Sequence, residues 1–168
     1  MYCAPSSTVT RDQPVKLSGA TIDHIRELMS WFDSERAVRV WGGPKFHYPY
    51  SEEGFISDLG WGRLSSAVLM SSNGQLIGFG QAYKKLNRGH LARLIVSPRH
   101  REQGYGRILV KEMMRWATEL FSCTECSLYV YRDNERAIQC YQASGFREAC
   151  HPELEDSDVM QFMVAPAR

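Results

Sequence analysis

The sequence has no uninterrupted apolar run near the ~18 residues that a membrane-spanning helix needs. Its opening stretch, MYCAPSSTVTRDQPVKLS, lacks the apolar segment of a secretory signal. Membrane partners and export are therefore not expected, and the chain reads as cytoplasmic. Residues 1–14 read as a polar leader, and 15–168 as one domain long enough to bury a sizeable core. Cysteine is scarce and odd in number: Cys3, Cys123, Cys126, Cys140 and Cys150. That argues against a disulfide scaffold and for a reducing compartment. The CTEC stretch has no second pair, and Cys150 and His151 are adjacent rather than spaced as zinc ligands, so no metal is expected. Internal repeats and low-complexity tracts are also missing.

Net charge is only +1, but it is unevenly spread. Residues 84–115 carry a net +7, residues 1–66 a net −1 and residues 116–168 a net −5. A concentrated basic segment in a near-neutral chain suits a compact anionic partner. A nucleic acid would call for a broader basic surface with interleaved aromatics, so none is expected.

The apolar spacing predicts a short strand at VKLSG and a helix over TIDHIRELMSWF, capped by Thr21. Short helices are expected over 34–41 and from Ser51 to a stop at Gly60, with WGGPKFHYPY breaking regularity between them. Residues 66–96 then read as an antiparallel meander of SAVLM, QLIGFGQAY and HLARLIV. The Asn73-Gly74 pair turns the first hairpin and KKLNRG the second. A helix follows, with Leu109, Met113, Trp116 and Leu120 on one face. Next come the strand CSLYVYR, a helix over DNERAIQCYQASG capped by Asp133 or Asn134, and two last strands, GFREAC and DVMQFMV. A strand, crossover helix and strand imply a parallel pair within an otherwise antiparallel sheet.

Between the third strand of the meander and the next helix lies SPRHREQGYGRILV. A loop that leaves a strand and opens a helix offers free N–H groups and the positive end of the helix dipole to an anion. Gly104 and Gly106 allow close backbone approach, and Arg99, Arg101 and Arg107 add charge. A diphosphate fits. No Gly-Lys-Ser/Thr follows, which excludes a Walker loop. Leu109 stands where a Rossmann fingerprint needs glycine, and no acid ends the next strand.

RLIVSPRHREQGYGRILV resembles the acetyl-CoA motif of the GNAT superfamily of N-acetyltransferases, with Arg101, Gly104 and Gly106 at the family spacing. NERAIQCYQASGF resembles a second family pattern through Asn134, Ala137, Tyr141, Gly145 and Phe146. The resemblance implies an α+β fold with a mixed, mostly antiparallel sheet of six to seven strands. That sheet would splay between its fourth and fifth strands and be flanked by about four helices. The implied activity is direct transfer of acetyl from acetyl-CoA to a primary amine of an unidentified small molecule or peptide, in a ternary complex. A non-catalytic acyl-CoA sensor on the same fold is the alternative. Main-chain groups of Leu94, Ile95 and Val96 would meet the pantetheine arm. Arg101, Glu102, Gln103, Gly104, Tyr105, Gly106 and Arg107 would hold the diphosphate, and Asn134 would touch the arm. Tyr141 stands where the family places the acid that protonates the thiolate. His90 stands where several members carry a glutamate base. Trp41, Tyr48 and Tyr83 would border the acceptor, as would the acidic loop HPELEDSD. Monomer and homodimer are both compatible with the sequence.

Overall fold

The computed structural model describes residues 14–151 and 158–167. Nearly all of the polar leader and residues 152–157 of the acidic loop lie outside the described residues. Seven strands form one sheet in the order β1-β2-β3-β4-β5-β7-β6. The strands are β1 (Val15–Gly19), β2 (Ser65–Ser71), β3 (Leu76–Lys85), β4 (Arg88–Val96), β5 (Glu125–Tyr131), β6 (Arg147–Glu148) and β7 (Met160–Pro166). Five helices flank them: α1 (Ile22–Met29), α2 (Glu35–Gly42), α3 (Glu52–Leu59), α4 (Tyr105–Phe121) and α5 (Glu135–Ala143). The fold is the mixed α+β arrangement of the resemblance, antiparallel except where β4 meets β5.

Local chemistry sets most boundaries. Thr21 accepts from the His24 N–H while the His24 ring accepts from the Thr21 N–H, a reciprocal cap for α1. Ser34, Ser51 and Asn134 cap α2, α3 and α5 by a single bond each, the side chain accepting from a backbone N–H three residues on. Asn134, rather than Asp133, is the cap of α5. Gly60 and Gly145 end α3 and α5 at positive φ.

Three expectations need correction. The apolar spacing of α1 runs on to Phe32, but the helix stops at Met29 and Trp31 and Phe32 turn toward a cleft. The buried face of α4 is Leu109, Val110, Met113, Met114 and Ala117, and Leu120 is 48% exposed. The stripe read from the sequence was therefore rotated. GFREAC forms only the two-residue strand Arg147–Glu148, extended by one further bond from the Ala149 N–H to Phe162 O at 2.9 Å.

The sheet carries a separate core on each face. α4 and α5 cover Leu69, Ile77, Leu91, Leu128 and Met163. The helices α1–α3 cover Val68, Leu76 and Phe79 with Phe46 and Phe55. Both layers meet at β4, where the site forms.

Candidate active site

The site begins with a failure of pairing. β4 and β5 run parallel, and their register holds only at Gly89–Cys126 and His90–Ser127. Beyond those two rungs the strands diverge, and a cleft of about 980 Å³ opens between them. It extends from the α4 N-terminus to the loop between α1 and α2.

A bulge decides which main-chain groups face that cleft. Lys85 and Arg88 close a two-residue turn in which Leu86 and Asn87 both have positive φ. They therefore form a hydrogen-bonded pair, and the even-numbered residues Arg88, His90 and Ala92 aim their main-chain groups at β3. The register then slips: Gln81 faces Ala92 but Phe79 faces Ile95, so Arg93 and Leu94 together oppose Gly80. Beyond the slip the Ser97 N–H donates to Ile77 O at 2.8 Å, which assigns the odd-numbered residues to β3. Side chains report the same exchange. Leu91 packs on the α4 side, then Leu94 and Val96 do, while Ile95 packs with α1–α3. The N–H and C=O groups of Leu94 and Val96 thus face the cleft, and those of Ile95 belong to the β3 ladder.

Arg93 is the residue at the bulge, with φ +53°. A left-handed arginine costs on the order of 1–2 kcal/mol, so something must hold it. Its Nη1 donates to Leu59 O (3.0 Å) and Gln81 Oε1 (2.7 Å), and its Nη2 donates to Asp58 O (3.2 Å). The guanidinium lies over the Phe46 ring at 5.7 Å. Trp41 Nε1 donates to the Arg93 carbonyl at 2.7 Å. Gly80 opposite leaves room for two side-chain ends: a Cβ there would meet Leu94 Cδ2 at 2.7 Å and Met113 Cε at 2.9 Å, and both would have to shift.

At the other end, Glu102 and Gly104 both have positive φ, with Gln103 of negative φ between them. Such an alternation curls successive N–H groups toward one concave point. Gly104 is the N-cap of α4, so the amides of Tyr105 and Gly106 have no intrahelical partner. Gly106 abuts Cys140 of α5 (an added Cβ would lie 3.4 Å from its Sγ), and both line the cleft. Arg101 lines it too, with Nε donating to Val96 O at 3.4 Å. Glu102 pairs with Arg136 at 3.3 Å. Gln103 donates to Arg99 O at 3.1 Å, and Arg107 is exposed. The Tyr105 ring is buried against His100 and the α4 core, leaving only its amide for a ligand.

Tyr141 of α5 lines the cleft beside Asn134, and burial pushes its phenol pKa up, so it stays protonated at any physiological pH. His90 sits at the last rung, 2% exposed, among the rings of Tyr83, Tyr129 and Phe162. Its Nδ1 shares a hydrogen bond of 2.8 Å with Ser127 Oγ. Burial lowers its pKa to about 3, helped by the charge of Lys85 and by His151, so it is neutral at pH 7. Trp41 and Tyr83 also border the cleft. Tyr48 does not: it is exposed and packs edge-on against Tyr50 at 5.7 Å. Sequence reasoning missed Arg93, Gln81 and the cleft residues Trp31, Phe32, Asp33 and Arg36. The one visible signal was an arginine inside the apolar strand HLARLIV.

A model of the acetyltransferase (GNAT) family matches residues 26–146. The chain belongs to the GNAT acetyltransferase family. As a GNAT protein it is an acetyl-CoA-dependent N-acetyltransferase, with acetyl-CoA as co-substrate. The UPF0039 protein C11D3.02c of Schizosaccharomyces pombe is 28% identical over 113 residues, 67% of this chain and 70% of that protein. Two solved structures share the fold. One is the spermidine N-acetyltransferase of Vibrio cholerae in complex with CoA and spermine (TM-score 0.69, 17% identity, 91% of this chain and 95% of that one). The other is AAC(6')-Ib in complex with paromomycin and acetyl-CoA (TM-score 0.70, 20% identity, 90% and 93%). Among the described residues no helix is long and apolar enough to cross a membrane, and no group of His, Cys, Asp and Glu is arranged to hold a metal ion.

Proposed function

We propose that this GNAT protein moves the acetyl group of acetyl-CoA directly to a primary amine, with both substrates in the cleft at once. The carrying observation is that one continuous cleft joins the amide-rich turn before α4, the vacated side of β4, and the aromatic pocket around His90. The converging amides of 102–106 suit a diphosphate, with Arg101 adding positive charge. The main-chain groups of Leu94 and Val96 suit the amides of the pantetheine arm, and the Leu94 N–H suits the thioester oxygen, where negative charge develops. Asn134 would meet the arm as well as capping α5.

The amine nitrogen attacks the carbonyl carbon. As the new C–N bond forms, the oxygen takes negative charge against the amide. The C–S bond then breaks, and the Tyr141 hydroxyl gives its proton to the departing thiolate. The proton lost by the amine restores the phenol through water, so acetylated amine and free CoA are the products. His90 is neutral and suited to accepting a hydrogen bond that orients the amine. It is poorly suited to removing the first proton. An alkylammonium of pKa ~10.4 facing an imidazole at about 3 makes that transfer uphill by about 10 kcal/mol. The ammonium therefore gives up its proton to the buffered solvent before attack, at a cost set by the gap between its pKa of ~10.4 and the ambient pH. Trp41, Tyr83 and Tyr129 would enclose the acceptor, and Tyr48 would lie outside its contact range.

The Vibrio cholerae spermidine N-acetyltransferase and AAC(6')-Ib, which share the fold, are bound to spermine and to paromomycin, both amines. The test is a panel of primary amines incubated with acetyl-CoA and read by free CoA, beside thermal denaturation. Acetyl-CoA at a hundred times its Kd should add about 2.7 kcal/mol of stability. No thermal shift at millimolar acetyl-CoA would overturn the reading. Binding with no CoA release across the panel would leave a sensor.

A further inference from the structure

Arg93 is too expensive a residue for its backbone position to be incidental. A bulge in this place needs a residue at positive φ, and glycine would supply that without strain. Instead the chain puts an arginine there and spends five contacts on it. They come from two directions. Leu59 O and Asp58 O are the last carbonyls of α3, acceptors without an intrahelical donor at the negative end of that helix and suited to a cation. Trp41, which grips the Arg93 carbonyl, belongs to α2. Gln81 completes the arrangement: buried in β3, it accepts from Arg93 and donates to Leu59 O and Ser66 Oγ. The cleft-lining helix α2 and the C-terminus of α3 are therefore both tied to the residue that exchanges which amides of β4 face the cofactor.

We propose that Arg93 is a positioning residue. By bonding the α3 C-terminus and Gln81 while Trp41 holds its carbonyl, it fixes the β4 bulge so that the Leu94 amide meets the thioester oxygen. The inference rests on the acetyl-CoA reading above. Without the tether, the bulge is free to migrate along β4 or anneal. Annealing restores the earlier alternation, and the groups of Leu94 and Val96 then swing to β3.

The experiment is infrared difference spectroscopy of acetyl-CoA labelled at its carbonyl carbon, bound to the full chain, with affinities for acetyl-CoA and CoA measured by calorimetry. Arg93→Gly keeps positive φ available but removes every tether of the side chain. Arg93→Lys keeps the charge but replaces the planar fork, whose two nitrogens reach Leu59 O, Gln81 Oε1 and Asp58 O, with a single ammonium. In the wild type the bound carbonyl should absorb at lower frequency than in solution. In Arg93→Gly at least half of that shift should be lost, while the Kd for CoA stays within about three-fold, because the diphosphate turn is untouched. A merely structural role would lower the urea midpoint and leave the carbonyl frequency alone. Should Arg93→Gly not fold, Arg93→Lys carries the test, and a full shift in either folded variant overturns the inference. Wild-type protein that binds acetyl-CoA without any carbonyl shift overturns it as well. Failure to bind acetyl-CoA at all would instead remove the proposed function.

Discussion

Lowering the pH from 7 to 5 should expose the cost of keeping His90 neutral. Its imidazole is 2% exposed, packed among Tyr83, Tyr129 and Phe162, and its pKa falls from 6.5 to about 3 through burial, with Lys85 and His151 adding repulsion. The unfolded chain takes up a proton near pH 6.5, whereas the folded chain refuses it until near pH 3. Stability is therefore intact above 6.5 and drains away as the pH falls from there toward 3. At pH 5 the unfolded state is favoured by about 1.5 pH units of proton binding, which is about 2 kcal/mol. The assay is urea denaturation of the wild type and of His90→Gln at both pH values. Glutamine keeps a polar group for Ser127 Oγ but does not titrate. The variant should start less stable at pH 7, and yet lose about 2 kcal/mol less than the wild type on going to pH 5. That corresponds to about 1 M in the urea midpoint for a slope of ~2 kcal/mol/M. If both proteins lose stability in parallel, His90 is not held neutral by its surroundings and the account of its pocket is wrong.

Tyr141→Phe should lower acetyl transfer by roughly 100-fold while CoA affinity stays within about three-fold; a full rate would retire the phenol as proton donor. The pH–rate profile should climb toward the pKa of the amine itself, and a plateau reached near pH 6.5 would return His90 to the role of base. Gly80→Ala should cost roughly 1–3 kcal/mol in chemical denaturation, because the added methyl collides with Leu94 and Met113; a neutral result would show that the bulge yields easily. Gly104→Ala forces alanine to φ +87° and should weaken CoA binding by about ten-fold, matching a strain of ~1–2 kcal/mol. Unchanged calorimetric affinity would mean that the turn does not need glycine.

The parts of the site legible in the sequence are the ones built from neighbours along the chain. Gly104, Gly106 and the arginines around them stand within a few residues of one another, and a turn opening a helix has the same physics wherever it occurs. Asn134 and Gly145 likewise bracket α5 by local hydrogen bonding. What could not be read depends on partners far apart in sequence. The bulge at Arg93 is held by Trp41, Leu59 and Gln81, which lie 52, 34 and 12 residues away. HLARLIV reads as an apolar central strand whose one irregularity is Arg93, and that residue alone does not announce the slip that gives Leu94 and Val96 to the cleft and Ile95 to β3. The histidine was visible as a residue but not as a neutral one, since its proton affinity is set by rings from β3, β5 and β7. Tyr48 looked like its aromatic neighbours, and only packing separates it from Trp41.

The two-rung contact between β4 and β5 leaves the molecule with an open strand edge in its middle instead of at its rim. Polypeptide edges of this sort recruit any extended chain that offers alternating donors and acceptors. A coenzyme arm with two amide groups would act as a missing eighth strand, mending the sheet when it enters. Kept without its coenzyme, the protein should be adhesive toward itself along that seam. Adding CoA should suppress such self-association on storage, a benefit unrelated to chemistry at the thioester.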